Sequence, residues 1–116
     1  QRIFQQFEPK PADGLAPYRG RPDGAAVDVQ GNYYVAMYEG SRVCKFSPGG
    51  TLLAEFSTPV RCPTMPCFGG ADLQTLYITS ARHKRSASEL LTYPLSGCVF
   101  SMRMEVAGLP VNFFVD

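Results

Sequence analysis

The sequence predicts an all-β fold made of blade-like sheets, and three observations predict it. Residues 21–56 hold four short apolar runs, at 25–29, 33–38, 42–46 and 52–56, parted by Gln30-Gly31-Asn32, Glu39-Gly40-Ser41 and Ser47-Pro48-Gly49-Gly50. Runs of about five residues joined by glycine-containing loops are the signature of hairpins, and four in series make an up-and-down sheet of the kind used as one propeller blade. The layout then begins again after Thr58-Pro59: Pro63 repeats Pro22, and Ile78 in LYITS repeats Val35 in YYVAM. Their spacing of about 40 to 45 residues is that of a propeller blade. Finally, 11 Gly and 10 Pro in 116 residues favour many turns over long helices.

In chain order, residues 1–7 (QRIFQQF) alternate weakly and read as a lone outer strand. Residues 8–21 form a connector with Pro9, Pro11 and Pro17, which exclude a helix interior or a central strand. A connector of this length has a reason to exist, such as covering a pocket mouth. In the four-strand unit nearly every position is apolar or small, the pattern of strands covered on both faces. The second unit is expected to hold strands at 65–68, 75–80, 98–104 and 111–115. Its insertion, 81–97, carries Ser86-Ala87-Ser88-Glu89, a capping box ahead of Leu90-Leu91 that predicts one short helical turn.

Composition excludes several functions. A net charge of +1 provides no electrostatic pull toward nucleic acid or anionic lipid. No apolar run approaches the ~18 residues of a membrane helix. The cysteines, Cys44, Cys62, Cys67 and Cys98, form no CxxC pair, so zinc is disfavoured and buried free thiols in a reducing, cytoplasmic setting are expected. His83 is the single histidine, which leaves Cys62 and Cys67 without a choice of base. There is no G-x-S-x-G elbow and no EF-hand spacing, and Phe68-Gly69-Gly70 is too short for a phosphate loop. Arg82-His83-Lys84-Arg85 reads as a solvated basic loop, with a phosphate or carboxylate contact as the alternative. Asp28, across a tight turn from Gly31-Asn32, is expected to serve as a turn acceptor.

One residue stands out as a candidate for chemistry. Asp23 lies in Pro22-Asp23-Gly24, ahead of the first predicted strand; Pro22 fixes its own φ and Gly24 permits close backbone approach. By spacing alone the segment also reads as an ordinary Asp-Gly turn. In a propeller, however, the starts of the innermost strands ring a central channel, where oxygen ligands from several blades can hold a hard cation.

The segments RPDGAAVDVQGNYYVAMYEGSRVCKFSPGG, PVRCPTMPCFGGADLQTLYITSARHKR and PLSGCVFSM, in this order, resemble the SMP-30/gluconolactonase/LRE (regucalcin-like) family. The resemblance spans roughly residues 7–114. It implies a six-bladed β-propeller, of which residues 1–116 would be a C-terminal part: about two four-stranded antiparallel blades, near 21–58 and 61–116, plus one outer strand. It further implies hydrolysis of sugar lactones with one divalent cation, Ca²⁺ or Zn²⁺ foremost and Mg²⁺ or Mn²⁺ as alternatives. On the family's pattern Asp23 is both metal ligand and catalytic acid or base. The family's Glu ligand, its Asn ligand and its substrate-contacting Arg and Asn have no counterpart here, so the missing blades are expected from a parent chain or another copy, and this chain alone is expected to be inactive. A calcium-binding regulator, a non-catalytic interaction propeller and an inactive fragment are the competing readings.

Overall fold

The computed structural model describes residues 3–11 and 18–110. Two antiparallel sheets lie side by side. The first has the order β1-β2-β3-β4, from β1 (Arg21–Val27), β2 (Tyr33–Tyr38), β3 (Arg42–Phe46) and β4 (Leu52–Ser57). The second has the order β5-β6-β7, from β5 (Pro63–Gly69), β6 (Thr75–Ser80) and β7 (Phe100–Arg103). Both run in simple chain order, the up-and-down pattern expected. The described residues form no closed ring, and the strand expected at 111–115 lies outside them, as does 12–17 of the connector.

Alternation along β2 divides the core. Tyr34 faces the second sheet and joins Val43, Phe68, Leu76 and Ile78 in a buried cluster. Val35 and Met37 face the other way, with Cys44 and Phe46. β2 is therefore covered on both faces, as its unbroken apolar run requires. Residues 3–7 help to cover the second face but form no strand, contrary to the expectation from their alternation. Their backbone finds no ladder partner; instead the Phe7 ring meets Phe46 edge-on at 5.8 Å, the Phe4 ring meets Tyr33 at 5.6 Å, and Gln5 Nε2 donates to the Gly50 carbonyl. Aromatic packing, rather than strand pairing, holds this segment.

The repeat inferred from sequence is structural. β1 pairs Pro22 with Met37 and then Ala25 with Val35; β5 pairs Pro63 with Ser80 and then Met65 with Thr79. Each first strand thus carries one extra residue directly after its proline, the arithmetic of a β-bulge. β7 is shorter than expected, because Ser80 Oγ binds the Cys98 carbonyl and the Gly97 amide, keeping that stretch in the loop. In the insertion, Ser86 caps α1 (Ala87–Thr92), its hydroxyl accepting from the Glu89 amide as the capping box predicts.

Asp28 is fully buried and accepts from the Gln30 and Asn32 amides, the Asn32 side chain and the Tyr34 hydroxyl. Burial pushes its carboxyl pKa up, but these donors outweigh it and hold it below the usual range. The turn role read from sequence is what the structure shows. Asp28→Ala would strand several buried donors at once and is expected to cost about 3 kcal/mol or more; a denaturant midpoint in Asp28→Ala equal to wild type would contradict it.

Only Cys44 and Cys62 are buried thiols. Cys67 and Cys98 are exposed, so the expectation of four buried thiols holds for two. Cys67 lies on β5, whose alternation turns that position away from the core.

Candidate functional site

Pro22-Asp23-Gly24 does not precede the first strand. It lies inside β1, at the bulge between Pro22 and Ala25. The sequence suggested otherwise because Pro and Gly normally punctuate strands; Pro22 is tolerated here because a bulge relaxes the ladder. Gly24 is dictated by packing. A Cβ there would strike the Met65 side chain and sit 2.8 Å from the Thr64 carbonyl of β5. The first strands of the two sheets therefore converge at Gly24, the residue after Asp23, and only glycine lets them approach so closely. A bulge of this kind re-aims side chains. Asp23 itself is exposed, and it has no hydrogen bond or ion pair with another described residue.

Around that end of the sheets the connector, a turn and the insertion meet on one carboxylate. Glu39 is 5% exposed. Its Oε2 lies 2.8 Å from Lys10 Nζ and 3.0 Å from Arg85 Nη2, and its Oε1 lies 2.8 Å from Arg21 Nη1. Arg61 Nε donates to the Glu39 carbonyl. Arg85 also pairs with Glu89 of α1 at 2.7 Å. The guanidiniums of Arg21 and Arg85 lie over the Tyr38 ring at 4.4 and 5.6 Å. Burial raises the Glu39 pKa, but the donors from Lys10, Arg85 and Arg21 outweigh it and bring it to about 2. Glu39 adopts φ 65°, the left-handed region that non-glycine residues seldom occupy, and the ion pairs offset that strain.

Two readings of the sequence change here. Arg85 is not part of a solvated loop: its side chain is 16% exposed and doubly paired, so the carboxylate-contact alternative describes it. Glu39 reads in the sequence only as part of the Glu39-Gly40-Ser41 turn. A Glu before a Gly in a turn looks like surface, and its partners lie 29, 18 and 46 residues away in sequence. Its one local sign is the concentration of basic residues at the ends of the connector and in the insertion.

A cation needs more than Asp23. Among the described residues no group of three His, Cys, Asp or Glu side chains could hold a metal. Asp23 is thus an accessible oxygen donor of the right chemistry for one position in a cation's shell, and one carboxylate is too little for a complete site. No described helix is long and apolar enough to cross a membrane.

Comparison with known proteins places this geometry in context. The family model of the SMP-30/gluconolactonase/LRE-like region matches residues 1–82. A 6-deoxy-6-sulfogluconolactonase of Pseudomonas putida is 57% identical over 95 residues, covering 82% of this chain and 33% of that protein. Bovine (Bos taurus) regucalcin is 38% identical over 91 residues, 77% of this chain and 30% of its own length. The crystal structure of a calcium-binding protein, regucalcin, from Agrobacterium tumefaciens superposes with a TM-score of 0.74 at 28% identity, covering 78% of this chain and 31% of that one. The chain spans about a third of the length of these relatives. With the motifs, the bulged repeat and the matched model in agreement, the chain belongs to the SMP-30/gluconolactonase/LRE-like family.

Proposed function

We propose that the protein hydrolyses sugar lactones in a reaction that requires a divalent cation, with Asp23 as one metal ligand and as the proton carrier. The observation that carries this is the position of Asp23: an exposed carboxylate at the bulge of β1, where the first strands of two blade-like sheets converge. The 57% identity to a protein named as a sugar lactonase supports the substrate class. On this reading the blade-like units are residues 21–58 and 61–116, and further blades of the ring provide the remaining ligands. Calcium suits an all-oxygen shell; zinc, magnesium and manganese are the other candidates.

A cation bound there would polarise the lactone carbonyl and acidify a bound water. Asp23, at hydrogen-bond reach, takes the proton as the water oxygen bonds to the carbonyl carbon. When the ring C–O bond breaks, the departing alkoxide receives that proton, and the product is the open aldonic acid. Rigid backbone on both sides of Asp23, from the Pro22 ring and the Gly24 contact, keeps the carboxylate placed for both transfers.

The test is acid release from gluconolactone by the complete gene product before and after exhaustive chelation. Turnover should disappear with the metal and return when a divalent cation is restored. Cation binding without turnover would favour a calcium-binding regulator instead, and turnover indifferent to chelation would remove the metal from the reaction.

A further inference from the structure

The bulge that carries Asp23 has a counterpart in the second sheet. The residue after each proline falls in the irregular stretch of its ladder, between Pro22 and Ala25 in β1 and between Pro63 and Met65 in β5. Thr64 is therefore to the second sheet what Asp23 is to the first. The two are also neighbours in space. A Cβ on Gly24 would sit 2.8 Å from the Thr64 carbonyl, so by ordinary backbone dimensions the Asp23 and Thr64 Cα atoms are at most about 11 Å apart. Thr64 Oγ1 lies 2.6 Å from Thr79 Oγ1 on β6, and Thr79 Oγ1 lies 3.3 Å from the Met65 carbonyl. Thr79 is exposed and Thr64 half-buried, and the bond between them lies at the surface. Counting protons shows what this pair can offer. A carbonyl only accepts, so when Thr79 donates to Met65, Thr64 donates to Thr79 and keeps lone pairs with which to accept. When Thr79 donates to Thr64 instead, the Thr64 proton is left to donate elsewhere. In both states the described residues leave Thr64 hydrogen-bonding capacity to spare.

We propose that the Thr64 and Thr79 hydroxyls bind a hydroxyl of the sugar lactone whose ring is opened at Asp23. This rests on the lactonase reading above and adds to it a group that recognises the part of the substrate away from the reacting carbonyl. A sugar hydroxyl is both donor and acceptor, so it matches a pair that can present either. The pair carries no charge, and the Asp23 carboxylate nearby would repel an anion, so a neutral polyol is the ligand it fits. Thr64 is oriented before the ligand arrives: its hydroxyl is held by Thr79, which is held in turn by the Met65 carbonyl. Such a chain polarises its members, and branching at Cβ limits the rotamers that binding has to freeze. One six-membered lactone, together with the two side chains, spans the separation between Asp23 and Thr64. Thr64 is the binding residue on this account, and Thr79 positions its hydroxyl.

The experiment uses the complete gene product as wild type, Thr64→Val and Thr79→Val. Valine keeps the branched shape and the strand preference and removes only the hydroxyl. The value of kcat/KM is measured for gluconolactone and for its monodeoxy forms, each lacking one hydroxyl, and calorimetric binding of gluconate adds a readout that needs no turnover. Loss of one neutral hydrogen bond in Thr64→Val should lower kcat/KM for gluconolactone roughly 3- to 10-fold and weaken gluconate binding in the same direction. Thr79→Val, which keeps the Thr64 hydroxyl, should give a smaller loss. For the one monodeoxy lactone that lacks the bound hydroxyl, Thr64→Val should make no further difference, while the others show the full loss. Melting temperature and divalent-cation affinity should stay at wild-type values. An equal loss for every monodeoxy lactone, or kcat/KM and gluconate Kd both unchanged, would overturn the subsite; so would a weakened cation affinity, which would put the hydroxyl in the metal's shell instead. No turnover of any lactone by wild type, with gluconate binding weakened in Thr64→Val, would overturn the lactonase reading and leave the sugar-hydroxyl site standing. Neither turnover nor gluconate binding in wild type would overturn both.

Discussion

Asp23→Asn in the complete gene product is expected to lower lactone turnover by roughly 100- to 10,000-fold, the range for loss of a general acid or base. Folding should hardly change. Asp23 is exposed and forms no hydrogen bond to another described residue, and such surface substitutions usually fall within about 0.5 kcal/mol of neutral. The amide is nearly isosteric with the carboxylate, but it accepts no proton at neutral pH and is a weaker cation ligand. A conservative control separates the two roles: Asp23→Glu keeps the charge and moves it by one methylene, so metal affinity should survive better than turnover. Steady-state assay, metal titration and a melting curve on the same preparations read all three quantities. An Asp23→Asn protein that turns over lactone at the wild-type rate would remove this residue from the chemistry.

Glu39→Ala is expected to be among the most destabilising single substitutions in the chain. The carboxylate is buried and shared by Lys10, Arg21 and Arg85, and removing one partner of a buried ion group typically costs about 3 to 5 kcal/mol. Lys10 and Arg21 are half exposed and can turn to water, so the lower end of that range is expected. The pH dependence has a definite sign. Glu39 sits at about 2 in the folded protein, against 4.5 ordinarily. Its stabilisation is therefore complete above about pH 4.5 and is lost as the pH falls toward 2, a total of roughly 3 kcal/mol. Melting temperatures measured from pH 6 down to pH 2 should fall more steeply for wild type than for Glu39→Gln, which has no proton to take up at that site. Parallel curves would show that the three cations do not stabilise the folded state through Glu39.

The hairpins were legible in the sequence because their signals are local. β2 and β3 have the predicted bounds, 33–38 and 42–46, since apolar alternation and flanking turn residues both lie within a few positions of each strand. The capping box at Ser86 was legible for the same reason. The repeat was visible because Pro22 recurs as Pro63; the bulge that follows each of these prolines is seen only in the structure. The start of β1 was misplaced by the general rule that Pro and Gly interrupt strands; a bulge lets them stay inside one. Residues 3–7 alternate as a strand would, yet alternation alone provides no neighbour to pair with. Asp23 could be singled out in the sequence, and the packing of its neighbour Gly24 against Thr64 and Met65 could not.

Most of the strands, the recurrence of the layout after Pro59 and the family were readable from the sequence alone. Each depends on the order of residues within a short window or on the recurrence of that order. Packing of the sheets is what puts Asp23 at a bulge next to their convergence, pairs Arg85 with Glu39 and Glu89, and gathers Lys10, Arg21 and Arg85 around Glu39. These groups are far apart along the chain, and a carboxylate's worth depends on which charges arrive within a few ångströms of it. That arrangement exists only once the sheets have packed.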